Sequence, residues 1–569
     1  MFNANPLSTY STNVYGASHN KVVENSAYTM NNIFKAYATY NFDIKEKHSF
    51  KVMAGFDAES REKLGHYSEG REMISTSLPE INLTTGDEYG RNSSYSYHND
   101  FAAAGFFGRI NYDFMGKYLL EFNARYDGSS KFPKGKKFGF FPSFSAGWRA
   151  SEEAFMQWAK PVMSDLKVRG SWGTIGNQDV SSNAFLSTMA SGKSGWVMNG
   201  IDQLRLGAPS VVSSSLTWEK VTTLDLGLDA RFFDGAFGAT FDWYQRVTSD
   251  MHTAGETLPS TFGASSPQIN FGELTATGWE LALDYSHKFS NGLGLNLRAS
   301  LAHVEEEITK WNDQANKITD NYEGRKLGEI WGYVTEGIFQ SEEEVKNHAS
   351  QSLYESGSFK FGVGDVKYKD LNGDGKITYG SNTVDDPGDQ KIIGNSMPNY
   401  EYSFTIGLDY KGFDFSTFFQ GVGSRDFWAN GNIAIPFGMA AADPLFKHQR
   451  DYWTPENTDA FYPRLADHNW VSSGKNFLKQ TRYLLDMAYL RCKNITVGYS
   501  LPTSLLKKID FQKIRVYFSA ENVFEFDNLH LPVDPETKGY KGGNSNGNFA
   551  FGREYPFMRS ISFGVQAVF

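Results

Sequence analysis

Arg559-Ser560-Ile561-Ser562-Phe563-Gly564-Val565-Gln566-Ala567-Val568-Phe569 ends the sequence. Ile561, Phe563, Val565, Ala567 and Phe569 alternate with Ser560, Ser562, Gly564 and Gln566, the period of two that marks a strand with one apolar face. A soluble sheet rarely ends on such an edge, because an unfinished apolar strand invites aggregation. A membrane barrel tolerates it, since the last strand closes against the first and the apolar face meets lipid. The expectation is a closing strand of an outer-membrane barrel.

The rest of the chain agrees with that reading. The 569 residues include 46 Phe, 30 Tyr and 12 Trp, which suits aromatic girdles at two membrane interfaces. The 55 Gly and 18 Pro suit many strands joined by tight turns. Mean hydropathy is -0.45, and no apolar run is long enough for a membrane-spanning helix. A barrel is not excluded, because only every second residue of its wall must be apolar. The net charge of -10 argues against a nucleic-acid partner, which needs a basic face. The one cysteine, Cys492, forms no internal disulfide framework and reads as a small packing residue in a strand.

Residues 1–31 read as an irregular lead-in, and strand patterns occupy 32–569. In Tyr118 to Asp127, Tyr118, Leu120, Phe122, Ala124 and Tyr126 share one face while Glu121, Asn123, Arg125 and Asp127 share the other. Leu224 to Phe232 alternates in the same way with Asp225, Asp229 and Arg231, as do Phe237 to Tyr244, Trp279 to Ser286 and Ile514 to Glu521. Apolar out and charged in is the wall of a barrel with a wet lumen. Short links, such as Lys411-Gly412, alternate with long ones at about 60–97, 178–215, 251–272, 311–399, 427–485 and 528–558, apart from a middling one at Gly128 to Lys137. Outer-membrane barrels have short periplasmic turns and long external loops, so the expected fold is an all-β, antiparallel transmembrane barrel with long extracellular loops and a periplasmic C-terminus. Roughly fifteen strands are expected, an odd number against the even count of bacterial barrels. The first amino acids carry no basic segment followed by an apolar one, so no signal peptide is visible. Both observations lead to the expectation that a preceding part of the protein lies outside this sequence.

Three segments add a family resemblance: ARYDGSSKF at 124–132 with FGFFPSFSAGWRASEEAF at 138–155; LKVRGSWGTIGNQ at 166–178; and VKYKDLNGDGKIT at 366–378 with DDPGDQKIIGN at 385–395. In this order they resemble the SusC-like, or RagA-like, family of TonB-dependent outer-membrane transporters, over nearly all of the chain. The resemblance implies part of a barrel of about 22 strands, with about seven strands and an internal plug lacking here. It further implies uptake of oligosaccharides or peptides, a SusD-like surface lipoprotein as partner, and an inner-membrane motor acting through TonB on a segment ahead of the plug.

The residues also suggest particular sites. Asp370-Leu371-Asn372-Gly373-Asp374-Gly375-Lys376 reads as the first half of a calcium loop, with oxygen donors at alternate positions and a carbonyl from Lys376. The position of the usual closing acid holds Ser381, and Asp389 is the expected replacement, with Asp385 and Asp386 as competitors. The other reading is an Asn-Gly and Asp-Gly turn. The ion is expected to stiffen the 311–399 loop. Among the loop aromatics, Trp331, Trp428, Trp453 and Trp470 are candidate contacts for a sugar or peptide, against a packing role. Gly543-Asn544-Ser545-Asn546-Gly547 matches G-x-S-x-G by letter only, in a loop with no strand-turn-helix context, and no catalytic site is assigned. The expected function is nutrient import rather than enzymatic. The alternative is a passive porin or adhesin without TonB coupling.

Overall fold

The structure, a computed structural model, describes residues 20–85, 93–256, 258–313, 315–355, 359–429, 431–437, 445–466, 475–506, 511–537 and 557–569. The strands in chain order are β1 (Lys21–Ile44), β2 (His48–Arg71), β3 (Ser93–Phe114), β4 (Tyr118–Ser129), β5 (Phe138–Arg149), β6 (Met163–Asn177), β7 (Met189–Met198), β8 (Ile201–Pro209), β9 (Glu219–Phe232), β10 (Phe237–Ala254), β11 (Gln268–Lys288) and β12 (Gly294–Lys310). They continue as β13 (Glu329–Tyr333), β14 (Thr335–Ile338), β15 (Val366–Tyr368), β16 (Gln390–Asn395), β17 (Asn399–Tyr410), β18 (Phe413–Ser424), β19 (Asp426–Trp428), β20 (Leu484–Asp486), β21 (Tyr489–Ser500), β22 (Lys513–Asp527) and β23 (Ser560–Val568). Fifteen form one antiparallel sheet in the order β1-β2-β3-β4-β5-β6-β9-β10-β11-β12-β17-β18-β21-β22-β23. The other eight pair as small two-stranded sheets inside the long connections: β7 with β8, β13 with β16, β14 with β15, and β19 with β20. Among the described residues no helix is long and apolar enough to cross a membrane.

The sheet is inside out relative to a soluble protein. On β4, Tyr118, Leu120, Phe122 and Tyr126 are exposed, while Glu121, Asn123, Arg125 and Asp127 are partly covered. On β23 the apolar set is open to its surroundings, with Phe563 82% exposed. The physical reason is the pleat: once one face holds ionisable groups, period two sends every apolar side chain to the other.

Two expectations are corrected. The first strand begins at Lys21, eleven residues before the expected wall, so 21–31 is not irregular. β2 likewise runs to Arg71 and β3 starts at Ser93, which shrinks the first long connection to 72–92. These strands of 24, 24 and 22 residues exceed the 9–11 or so that cross a bilayer, so polar residues such as Glu62 and Lys63 occupy their upper ends without breaking the pairing. Among the described residues β1 pairs only with β2 and β23 only with β22, as the odd strand count leads one to expect. With fifteen strands pairing in chain order, β1 and β23 run in the same direction, so they cannot make the antiparallel pair that closure requires.

The longest connections, 178–218, 311–398, 425–488 and 528–559, all leave from one rim, whereas the other rim carries turns of two to five residues together with the links 150–162 and 501–512. The tightest turn of the fifteen-stranded sheet, Lys411-Gly412, joins Tyr410 to Phe413 with φ of 48° and 90°, the left-handed pair that a two-residue hairpin demands and glycine supplies cheaply. Aromatic rings crowd the outer face beside the short turns. Phe42 stacks on Phe50 at 5.0 Å, Phe50 meets Tyr112 at 4.9 Å, Phe232 meets Phe237 at 5.7 Å and Phe413 meets Tyr499 at 4.5 Å. Between β5 and β6 the turn is built of two 3-10 segments, Ala150–Glu152 and Ala154–Ala159. There Phe155 reaches the outward ring of Trp148, at 6.3 Å.

Conventional buried cores lie in the loops. Tyr333, Phe359, Phe361, Val366, Tyr368, Ile377, Tyr462, Phe477 and Tyr483 form one cluster drawn from the 311–398 and 425–488 connections. Full burial of an aromatic or aliphatic side chain is worth about 1.5–3 kcal/mol, enough to hold these long loops as a folded cap. A second cluster, Phe132, Phe141, Val180, Leu216 and Trp218, ties the 130–137 and 178–218 connections together, and Trp218 Nε1 donates to the Lys137 carbonyl at 2.9 Å.

Candidate functional site

On the inner face of the wall, several ion pairs cross a glycine of the strand between. Arg125 of β4 donates to Asp57 of β2 at 3.1 Å, over Gly105 of the strand between. Arg231 of β9 donates to Asp284 of β11 at 2.6 Å, over Gly238 of β10. Arg515 of β22 donates to Asp414 of β18 at 2.9 Å, over Gly498 of β21. Wall charges alternating along one face were legible in the sequence; that each pair skips a strand was not.

The Asp370 loop is folded as a series of Asx turns. Gly373 N donates to Asp370 Oδ1 at 2.6 Å and Gly375 N to Asp370 Oδ2 at 2.8 Å. Asp374 N donates to Asn372 Oδ1 at 3.0 Å, and Lys376 N to Asp374 Oδ1 at 2.8 Å. The hydrogen bond from the Gly375 amide, ahead of those from Gly373 and Asp374, holds the Asp370 carboxyl below the usual aspartate range. Asp389 is fully buried, and its two oxygens accept from Leu371 N at 2.8 Å and Thr378 N at 2.7 Å. It therefore staples the two ends of the turn. Asp386, one of its competitors, accepts from Ser381 N at 2.8 Å and Ser381 Oγ at 2.6 Å. Among the described residues no three His, Cys, Asp or Glu side chains converge as a metal-binding group. What the loop offers an ion is the exposed oxygen set of Asp370, Asn372 and Asp374 with the Lys376 carbonyl.

The four tryptophans part company. Trp331 of β13 is half-buried and lines a cavity of about 540 Å³, its Nε1 donating to the Tyr322 hydroxyl at 3.1 Å. Tyr322 donates in turn to Glu329 Oε2 at 2.6 Å. Trp428 sits in β19 opposite Leu484 and packs on the loop core. Trp453 donates to Gln340 Oε1 at 3.1 Å and lies against the backbone of Gly364, where an added Cβ would meet its ring at 2.6 Å. Trp470, like Ser545, lies outside the described residues. Cys492 is buried, within 3.6 Å of Thr417 Oγ1, as a packing residue. Lys479 and Arg325, which share the cavity with Trp331, carry no sequence signal: neither belongs to a motif, and they are 154 positions apart in the chain (479 − 325).

Comparison with known proteins gives a consistent picture. The family described as TonB dependent receptor-like, beta-barrel matches residues 2–523. TonB-dependent receptor P3 of Formosa agariphila is 28% identical over 559 residues, covering 95% of this chain and 52% of that protein. TonB-dependent receptor SusC of Bacteroides thetaiotaomicron is 27% identical over 453 residues, covering 76% of this chain and 41% of that protein. The solved RagAB peptide importer in its open-open state superposes with a TM-score of 0.77 at 21% identity, over 96% of this chain and 56% of that one. That likeness is one of fold. The chain spans about half the length of the curated relatives it matches.

Proposed function

The chain belongs to the TonB dependent receptor-like, beta-barrel family, and on that premise we propose that it forms wall and external loops of an outer-membrane nutrient importer of the SusC-like type. The observation that carries this reading is the inverted wall, with exposed apolar rings outside, paired charges inside, and the longest connections at one rim. In a bilayer such a sheet satisfies its backbone internally and turns its apolar face to lipid, while the aromatic rows beside the short turns sit at the periplasmic interface. The folded loop cap then faces the medium, where it meets oligosaccharide or peptide cargo and a SusD-like surface lipoprotein. Energy arrives from the inner membrane through TonB.

The test is genetic. The coding region is deleted in its host, and uptake of labelled oligosaccharide and peptide panels is followed with and without a protonophore. The expected result is loss of uptake for at least one panel, together with collapse of the parent's uptake under the protonophore. Uptake that depends on the gene but survives the protonophore would make the protein a passive porin.

The same reading assigns the Asp370 loop a calcium ion, taken by Asp370, Asn372, Asp374 and the Lys376 carbonyl, with Asp389 holding the turn closed from beneath. Carboxylate oxygens engaged by one amide each retain a lone pair for a hard cation. Calorimetric titration of calcium into the wild type and Asp374→Ala checks it; equal heats remove the ion and leave a structural turn.

A further inference from the structure

The cavity beside Trp331 is lined by two cations, Arg325 and Lys479, and one acid, Glu329. It is lined by Thr319, Arg325, Glu329, Trp331, Tyr354 and Lys479, among others. Each anchor is fixed by backbone hydrogen bonds from a different segment. Ile308 N, at the end of β12, donates to the Arg325 carbonyl at 2.9 Å, and Tyr333 N, two residues beyond Trp331, donates to the Lys479 carbonyl at 2.8 Å. The backbones of Arg325 and Lys479 are therefore held at the same wall by the fold.

Among the described residues neither Arg325 nor Lys479 makes an ion pair, whereas several basic residues nearby do. In the same loops Lys326 pairs with Glu305 at 2.8 Å, Lys360 with Glu355 at 2.7 Å, Lys367 with Glu344 at 3.3 Å and Arg464 with Asp365 at 2.6 Å. The acid that lines the cavity, Glu329, is already engaged: Oε2 accepts from Tyr322 and Oε1 from Lys326 N at 3.1 Å. Arg325 gives one Nη1 hydrogen bond to the Asp320 carbonyl and lies 5.7 Å from the Tyr322 ring, which leaves most of its donor fork free. Lys479 stays solvent-accessible at the cavity wall. Crowding by the surrounding loops, and then the charge of Arg325, draw its ammonium below the usual lysine range. Two like charges lining one cavity with a single acid leave an excess of positive charge, which attracts an incoming anion.

We propose that this cavity is a binding site for a ligand bearing a carboxylate, with Arg325 and Lys479 taking the charge and the rings of Trp331 and Tyr354 taking the adjoining flat surface. A planar guanidinium suits the two carboxylate oxygens, and an aromatic wall suits either a sugar ring or an apolar side chain. A uronic acid and the free terminus of a peptide share that chemistry. The site deepens the import reading and narrows its cargo to acidic glycans or unblocked peptides.

Equilibrium binding to the purified protein in detergent tests it, with two pairs of probes: glucuronic acid disaccharide against its methyl ester, and a Gly-Leu-Phe tripeptide against its C-terminal amide. At least one free acid should bind tenfold or more tightly than its neutral partner, and which pair discriminates identifies the source. Arg325→Gln combined with Lys479→Gln should erase the difference, and Lys479→Arg alone should keep it. Equal binding within both pairs, or a double variant that still discriminates, overturns the proposal. Binding is read without transport, so failure here leaves energised uptake standing, and failure of uptake leaves the carboxylate preference standing.

Discussion

Arg169 of β6 reaches across Gly227 to Asp242 of β10, donating from Nη2 to Oδ2 at 2.7 Å, while its Nε donates to Asp229 at 3.1 Å. The hydrogen in place of a Gly227 side chain is what lets the guanidinium lie flat over the middle strand. A Cβ at Gly227 would sit 2.4 Å from Arg169 Cζ and 2.7 Å from Asp242 Oδ1.

Gly227→Ala is therefore expected to displace the pair and destabilise the wall by about 1–3 kcal/mol, the usual cost of overpacking a filled site. Gly108→Ala is the control, since its nearest neighbour would be the Met53 carbonyl at 3.6 Å. The temperature at which each variant loses its heat-modifiable gel mobility gives the comparison; equal shifts for both would deny the crossing pair any role.

Asp389→Ala removes the acceptor for two amides, Leu371 N and Thr378 N, in a fully buried place. An orphaned buried donor costs about 1–3 kcal/mol, so the 370–389 turn should open locally while the wall holds. Protease cleavage near Lys376 should quicken several-fold with gel mobility unchanged. Cleavage at the parental rate would mean the turn is held by other contacts.

The depressed Asp370 carboxyl sets a pH sign. A group whose folded pKa lies below its unfolded value of about 3.9 adds stability that is complete above that value and is lost as pH falls through the folded one. Amide exchange at Gly373 and Gly375, corrected for intrinsic rate, should stay protected through mild acid and rise only below the ordinary aspartate range. Loss of protection already near pH 5 or so would contradict the hydrogen bonding seen here.

Trp158 is 81% exposed on the 3-10 segment that carries Phe155 three residues earlier. Three residues per turn put both rings on one side, and Phe155 lies against outward-facing Trp148, so Trp158 should dip into the interfacial layer of the periplasmic leaflet. The emission component missing in Trp158→Phe should be quenched by lipids brominated high on the acyl chain and spared by aqueous iodide. The opposite pattern would place the ring in water.

How much of this was legible beforehand differs from residue to residue. Tyr118 to Asp127 announced both faces of β4 and the sign of each, because the pleat is local and needs only neighbours in sequence. The start of β1 at Lys21 was missed, since its polar upper end lacks the alternation that lipid imposes. Trp331, Trp428 and Trp453 looked alike as loop rings; only packing separated the one beside a cavity from the two that fill loop contacts.

By itself, then, the chain of letters determined an all-β wall, its greasy and wet sides, the placing of the longest links at one rim, and the family. Only the tertiary structure decided which arginine meets which aspartate, that Asp389 staples a turn, and that Arg325 and Lys479 share one cavity. Periodicity is written in adjacent residues, whereas these meetings depend on the register between strands and on loops that fold over one another from opposite ends of the sequence.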